Sequence, residues 1–248
     1  MIATGFSSDD GINSEIIDVE DSNFICTNIE PFPVSLDGAS GGLMNGEKPF
    51  ICGGRAYDDW TFSHDCFQLT EAGSWVTDQS ATLTTGRSLA GIGTVVLNNN
   101  LVISGGHNGI DFWLASIEML SPNTTAQTLI VQLTTGLYGH CQVPWDSETF
   151  FVIGGNGKGG DNPKRETYFI NVKTNQRTNG PSLNTARSSH ACGELEVNGK
   201  TYIIVTGGSN SAYLRSTEVL DKSNVGQGWE KGKSLKFSLN ICLHDNFS

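Results

Sequence analysis

A short segment ending in Gly-Gly recurs along this chain at intervals of about 50 residues. Each copy is a β-branched or aromatic run followed by the pair, with first glycines at positions 53, 105, 154 and 207. A degenerate copy has its glycine at position 5, so the successive spacings are 48, 52, 49 and 53. Repeats of roughly this length are typical of propellers, solenoids and arrays. Eight glycines are predicted to be structural: Gly53, Gly54, Gly105, Gly106, Gly154, Gly155, Gly207 and Gly208.

Other features keep the same period and divide each repeat into four short strands. A hydroxyl residue recurs every 50 positions, at Ser35, Thr85, Thr135 and Thr185. Turn residues precede the Gly-Gly runs, and the clearest is Asn198-Gly199, a strong hairpin signal because both residues tolerate positive φ. Trp75 and Trp229 each follow the first glycine of their repeat by 22 residues and are predicted to fill the space between sheets. The pattern predicts an all-β fold, a β-propeller of four-stranded antiparallel blades.

The repeats resemble those of the Kelch family, whose pattern is most complete in the last full copy. That copy contains Arg187-Ser188-Ser189-His190, Gly207-Gly208, Glu218-Val219-Leu220-Asp221 and Trp229. The resemblance covers residues 1 to about 235 and implies one propeller domain, with blades at about 35–84, 85–134, 135–184 and 185–234. Gln127 and Gln176 stand where two of the tryptophans are expected, and the first full repeat lacks Arg-x-x-His.

Partial repeats at 1–34 and 235–248 leave two arrangements open. In one, 239–243 supplies an innermost strand to the N-terminal partial blade and closes a five-bladed ring. In the other, the chain is part of a propeller of six or seven blades, the usual sizes in the family. The second is favoured because 241–245 does not match the Arg-x-x-His start.

Composition excludes several classes of function. The net charge is −11 and only 15 residues are Lys or Arg, which disfavours nucleic-acid binding because that affinity depends on neutralising phosphates. No apolar run reaches the length of a membrane-spanning helix. The sequence shows no converging set of metal ligands, and neither a metal nor another cofactor is expected.

Polar residues encoded by the repeat are predicted to be structural in the main. His140 and His190 occupy the same position at the start of an innermost strand, and Glu118 and Glu218 share another. Two roles remain open for the repeated arginines, Arg87 and Arg187: they bond backbone carbonyls within the scaffold, or they line the channel mouth and hold an anionic group.

Cysteines and sequons favour an extracellular or secretory location, with the cytoplasm as the alternative. Cys52 and Cys66 flank one hairpin and form the candidate disulfide, whereas Cys141 and Cys192 are expected to pack as small apolar residues. Asn123-Thr124-Thr125 is a candidate glycosylation site, and Asn246-Phe247-Ser248 is a second sequon. Disulfides persist in oxidising compartments.

The loops between the second and third strands are expected to share one face with the links that enter each blade. They cover 55–64, 107–115, 156–166 and 209–215. Variable loops on a rigid scaffold commonly carry recognition residues. The candidates for partner binding are Arg55, Tyr57, Trp60, His107, Phe112, Trp113, Lys164, Arg165, Tyr213 and Arg215, together with Arg87 and Arg187.

The expected function is a non-enzymatic scaffold that holds a protein or peptide partner on this face. The alternative is a sugar-binding or sugar-processing propeller, since some Kelch propellers resemble mutarotases or galactose oxidase, or an extracellular lectin-like module. The sequence offers no copper-binding constellation, and a fold by itself does not determine function.

Overall fold

The structure is a computed structural model, and every strand pair that it describes is antiparallel. It describes the backbone of residues 2–7, 11–17 and 26–28, and both backbone and side chains of 30–45, 48–56, 58–91, 95–110, 113–159 and 162–236. These residues contain strands and one short 3-10 turn, Val225–Gln227, and no α-helix. No helix in them is therefore long and apolar enough to cross a membrane.

In the part of the chain that the structure describes, four sheets of four strands follow one another, each within one of the four predicted repeats. Sheet 1 comprises β5 (Ser40–Met44), β6 (Lys48–Cys52), β8 (Asp65–Leu69) and β9 (Trp75–Thr82). Sheet 2 comprises β10 (Val96–Leu97), β11 (Asn100–Ser104), β12 (Ile117–Leu120) and β13 (Gln127–Thr128). Sheet 3 comprises β15 (Cys141–Pro144), β16 (Thr149–Ile153), β18 (Thr167–Asn171) and β19 (Gln176–Asn179). Sheet 4 comprises β20 (Ala191–Val197), β21 (Lys200–Thr206), β22 (Thr217–Asp221) and β23 (Glu230–Lys231).

Smaller sheets complete the described structure. A three-stranded sheet at the N-terminus contains β1 (Ile2–Ser7), β2 (Gly11–Ile17) and β3 (Cys26–Asn28). Two short ladders pair β4 (Leu36–Asp37) with β7 (Arg55–Ala56), and β14 (Leu137–Tyr138) with β17 (Asn156–Gly157). The hairpin expected at Asn198-Gly199 is present, because both residues have positive φ and Val197 pairs with Lys200.

Consecutive sheets pack face to face, and sheet 3 shows why its second strand, β16, is apolar at four successive positions. Phe150 and Val152 of β16 join a core with residues of sheet 2, whereas Phe151 and Ile153 join a core with sheet 4. All four side chains are fully buried. Because neighbouring strand residues point to opposite faces, a strand buried on both sides loses the usual apolar–polar alternation. The result is an all-β, propeller-like arrangement of four-stranded sheets.

The two repeat-encoded tryptophans are buried, each in a different hydrophobic cluster. The Trp229 ring stacks on Phe151 with centroids 6.2 Å apart, and its Nε1–H donates to the Pro181 carbonyl at 2.8 Å. Trp229 therefore joins sheet 4 to sheet 3, as predicted. Trp75 packs instead against Phe32, on the other side of sheet 1 from sheet 2, with centroids 4.9 Å apart. The glutamines that replace these tryptophans in sheets 2 and 3 are exposed.

The Gly-Gly pairs follow the second strand of each sheet and connect one sheet to the next. Gly155 N–H donates to the carbonyl oxygen of Arg187 at 2.9 Å, and Gly54 makes the equivalent bond to Arg87 at 2.8 Å. A Cβ at Gly154 would lie 2.7 Å from that same Arg187 oxygen, which confirms the expected crowding. The φ angle of Gly154 is also positive, at 59°, a second requirement for glycine that the spacing alone does not reveal.

Replacing Gly154 with Val is expected to lower the free energy of unfolding by about 3 kcal/mol, because a β-branched residue is forced into left-handed backbone and against a carbonyl. The matched control is Gly193→Val in β20, where a Cβ meets nothing within 4 Å and φ is not positive. Denaturant unfolding of both variants measures the difference. Equal stability of the two would contradict this explanation of the Gly-Gly pair.

Candidate functional site

Short ladders bring the candidate recognition loops to one end of the sheets. The β4–β7 and β14–β17 ladders each pair the segment entering a sheet with the loop that follows its Gly-Gly. In sheets 2 and 4 a single bridge does the same, Ser88 with His107 and Ser188 with Ser209. The two sets of loops therefore lie together, as expected from the strand order. We call the described parts of 55–64, 107–115, 156–166 and 209–215 the loop face.

In the loop of sheet 1, an exposed tryptophan is fixed in place. The Trp60 ring is covered on one side by the Arg55 guanidinium, with the Arg55 carbon 4.6 Å from the ring centroid. Arg55 is itself paired with Asp37 at 2.6 Å. The backbone N–H of Trp60 donates to the Ala56 carbonyl at 3.1 Å. The residue is 56% exposed and has a φ of 60°, which is uncommon outside glycine and asparagine.

The carboxylate of Asp59 stabilises the turn that carries this tryptophan. It accepts hydrogen bonds from the Thr61 hydroxyl at 2.6 Å and the Thr61 N–H at 3.0 Å. Both bonds favour the ionised form, so they lower the pKa of Asp59. The geometry of the turn is thus supported by local polar contacts, as in an Asx turn.

Aromatic contacts connect neighbouring loops across the face. The rings of Phe62 and His107 lie 5.1 Å apart and join the loop of sheet 1 to that of sheet 2. Trp113 is half-buried beside Tyr138, with centroids 6.3 Å apart. The structure therefore gives Trp113 a packing contact that the sequence did not indicate. Tyr57 and Phe112 lie outside the described residues.

The remaining candidates belong to the loops of sheets 3 and 4. Tyr213 is 68% exposed, and Arg165 and Arg215 are exposed as well. Arg165 donates from Nε to the Leu183 carbonyl at 2.6 Å, and Arg215 donates from Nε to Leu235 at 3.1 Å. Lys164 is half-buried, and its N–H bonds the Gly155 carbonyl at 2.8 Å.

Arg87 and Arg187 do not contribute to this surface, which corrects their inclusion among the partner-binding candidates. They are 1% and 0% exposed. Arg187 pairs with Glu218 at 2.8 Å and donates to the Gly207 and Ser216 carbonyls at 2.8 and 3.0 Å. Of the two predicted roles, the structure supports the one in which the arginines bond backbone carbonyls within the scaffold.

The same buried constellation recurs in sheet 2. Arg87 pairs with Glu118 and donates to the Gly105 and Ser116 carbonyls. Each glutamate also accepts two backbone N–H groups, which in sheet 4 belong to Asn184 and Thr185, at 2.6 and 3.0 Å. Burial lowers the pKa of Arg87, and Glu118 beside it acts in the opposite direction.

The two repeated histidines are fully buried, as expected for structural residues. His140 Nε2 lies 2.8 Å from the Ser104 hydroxyl, which in turn donates to Gln142 at 2.7 Å. Burial lowers the pKa of His140 to about 3. Burial, together with the charges of Arg187 and His140, lowers the pKa of His190 to about 3. Both histidines are therefore neutral at pH 7.

Two disulfides are present among the described cysteines. Cys52 and Cys66 are directly opposed on β6 and β8 and form the predicted bridge, with Cα atoms 4.1 Å apart. Cys141 and Cys192 form a second bridge between the innermost strands of sheets 3 and 4, with Cα atoms 6.0 Å apart. This corrects the expectation that they pack as free, small apolar residues. Their occurrence near the same position of consecutive repeats was the available signal.

Peptide mapping of the native protein with and without reductant is expected to show both bridges. Without reductant, Cys52, Cys66, Cys141 and Cys192 should resist alkylation, and two disulfide-linked peptide pairs should appear, because each pair lies within bonding geometry. With reductant, all four should become alkylated after unfolding. Alkylation of the four thiols in the unreduced, denatured protein would contradict this assignment.

Comparisons with known proteins support the fold. No protein-family model and no curated protein match the sequence. A solved structure described as "Structure of YjhT" aligns with a TM-score of 0.76 over 92% of this chain and 80% of that chain, at 14% sequence identity. At that identity the likeness supports the propeller-like, all-β architecture alone. The described residues contain no group of three or more His, Cys, Asp or Glu that could hold a metal ion.

Proposed function

We propose that the chain is a Kelch-type β-propeller that works as a non-enzymatic scaffold and binds a protein or peptide partner on the loop face. The observation that carries the proposal is Trp60, an exposed tryptophan held in one position by Arg55 and by the turn around it. Tryptophan, tyrosine and arginine dominate the binding energy of protein interfaces. An exposed large aromatic side chain that is already ordered loses little conformational entropy on binding.

Other exposed residues extend this surface into two further loops of the face. Tyr213 and Arg215 lie in the loop of sheet 4, and Arg165 lies in the loop of sheet 3. The guanidinium of Arg165 uses only its Nε–H within the described residues, so its terminal nitrogens remain for an acidic group of a partner. The face thus presents aromatic rings and arginines on loops that are tied to buried sheets.

The second candidate function is sugar binding, and the residues around Trp60 are the reason to consider it. Sugars combine an apolar face with hydroxyl groups. Asp59 precedes Trp60 in the same loop, and Asp37 pairs with the Arg55 guanidinium that covers the Trp60 ring. Arg55 already covers one side of the ring. A sugar and a protein partner would therefore compete for the part of the Trp60 side chain that is exposed to solvent.

Selection of random linear peptides from a displayed library on the immobilised protein tests the scaffold function. The expected result is a set of enriched peptides whose affinity falls at least about tenfold with Trp60→Ala, because an exposed anchor residue is lost. Val76→Ala is the matched control, since Val76 is also an exposed apolar residue but lies on β9, outside the loop face.

Calorimetry with a panel of free monosaccharides separates the two functions. A protein-binding scaffold should show no heat of binding with any sugar. A sugar-binding module should bind one of the sugars, and its Trp60→Ala variant should no longer bind that sugar. Peptide binding that is equally weakened by Trp60→Ala and Val76→Ala would contradict a specific role for the loop face.

A further inference from the structure

Asn123 occupies an exposed turn between β12 and β13 of sheet 2. The turn is ordered by the Thr124 hydroxyl, which donates to the Ser121 carbonyl at 2.6 Å, and by the Asn123 N–H, which donates to the Asp78 carboxylate at 2.7 Å. Asn123 has a φ of 61°, a left-handed conformation that asparagine tolerates well. The backbone is therefore fixed by its neighbours while the residue remains at the surface.

The side chains that a glycosylating enzyme reads are free at this turn. Within the described residues, the Asn123 side-chain amide makes no hydrogen bond, whereas the backbone N–H of the same residue donates to Asp78. Thr125, the hydroxyl residue two positions later, is exposed and likewise makes no side-chain hydrogen bond to a described residue. Thr124 separates the two, so the requirement that the middle residue is not proline is met.

The disulfides provide an independent indication of the compartment. Cys52–Cys66 and Cys141–Cys192 are two bridges among the cysteines whose side chains the structure describes. Bridges of this kind form and persist in oxidising compartments such as the lumen of the endoplasmic reticulum, and are rare in the cytosol. Protein N-glycosylation takes place in the same lumen, so an exposed sequon there meets the transferring enzyme.

We propose that Asn123 is an N-glycosylation site. The donor is an oligosaccharide linked to a lipid through a diphosphate. The Asn123 amide nitrogen forms a bond to the anomeric carbon of the first sugar, while the bond between that carbon and the diphosphate oxygen breaks. The lipid diphosphate leaves, the amide nitrogen loses one proton to a base of the transferring enzyme, and no oxidant or reductant is needed.

The position of the turn keeps a glycan away from the loop face. Strand β11 ends at the Gly-Gly pair next to the loop face, and the antiparallel strand β12 returns to the opposite end, where Asn123 follows it. A glycan on Asn123 would therefore cover the far end of sheet 2 and leave Trp60 and Tyr213 accessible. The inference does not depend on the proposed scaffold function.

Translation of the chain with a cleavable signal sequence in the presence of endoplasmic-reticulum microsomes tests the site. A glycosidase-sensitive mass increase is expected that disappears in Asn123→Asp and in Thr125→Ala but persists in Thr125→Ser, which keeps the hydroxyl. Asn246→Gln reports the second sequon separately. Asn123→Asp preserves the side-chain size and tolerates positive φ, so its loss of signal does not arise from misfolding.

Three outcomes of this experiment decide the proposal. A glycan assigned to Asn123 by mass spectrometry, after enzymatic release in heavy-oxygen water, supports it. The proposal is overturned if the chain is protected from protease inside the microsomes and contains both disulfides, but Asn123 is unmodified. Glycan at Asn246 alone also overturns it, because translocation and the transferring enzyme are then shown to be working.

Discussion

Glu218→Gln is expected to lower the free energy of unfolding by about 3 kcal/mol, because it leaves the guanidinium of Arg187 buried without its counter-charge. The glutamine also cannot accept both backbone N–H bonds from Asn184 and Thr185 as well as a carboxylate does. Chemical denaturation of the wild type and the variant measures the difference. The loss should be accompanied by little change in secondary structure, since neither residue is part of a hairpin turn.

Two variants separate this effect from ordinary loss of an ion pair. Glu148→Gln removes a pair of similar length, 2.6 Å to Lys173, but Lys173 is an exposed residue, so the change should fall within the error of the measurement. Arg187→Met combined with Glu218→Leu replaces both buried charges by apolar groups and should destabilise less than Glu218→Gln alone. Equal effects of Glu218→Gln and Glu148→Gln would contradict the account.

Acidification is expected to destabilise the protein by up to about 5 kcal/mol between pH 6.5 and 4.5 through His140 and His190. Both have a folded-state pKa lowered to about 3, whereas an unfolded histidine titrates near 6.5. Below pH 6.5 the unfolded chain therefore takes up protons that the folded chain does not bind. Stability falls at about 1.4 kcal/mol per pH unit for each histidine and becomes constant again below the folded pKa.

The contribution of one histidine can be isolated with His190→Leu. Both ring nitrogens of His190 lack a hydrogen-bond partner among the described residues, so the variant should keep its stability at pH 7. Between pH 7 and 4.5, the histidine contribution to the loss of stability should be about half of that in the wild type. The contribution of the carboxylates should be the same in both proteins. An identical pH dependence in wild type and variant would show that His190 is accessible to protons in the folded state.

The repeat was sufficient to predict the sheets because strand length, turn chemistry and sheet packing all act over short distances. The hairpin at Asn198-Gly199 and the bridge between Cys52 and Cys66 each depend on two neighbouring strands. The positive φ of Gly154 was not predictable in the same way, since it occurs where the Gly-Gly pair contacts Arg187 of the next repeat. The bridge between Cys141 and Cys192 likewise depends on how two sheets stack.

The loop face was only partly predictable. Trp60 and Tyr213 are exposed as the pattern indicated, because neither position recurs in the repeat. Trp113 also lacks a repeated counterpart, yet it is half-buried beside Tyr138 through a contact between loops of different sheets. For Arg87 and Arg187, the repeat favoured a structural role, but only the structure identifies Glu118 and Glu218 as the groups that keep them buried.

Hydrogen exchange of the protein with and without a peptide selected from the displayed library tests the central claim most directly. Binding on the loop face predicts slower exchange in 55–64 and 209–215, around Trp60 and Tyr213, and no change in the turn at 121–126 on the opposite end. Protection confined to 121–126 or to the outer strands, with unchanged exchange in the loops, would contradict the assignment of this face as the binding surface.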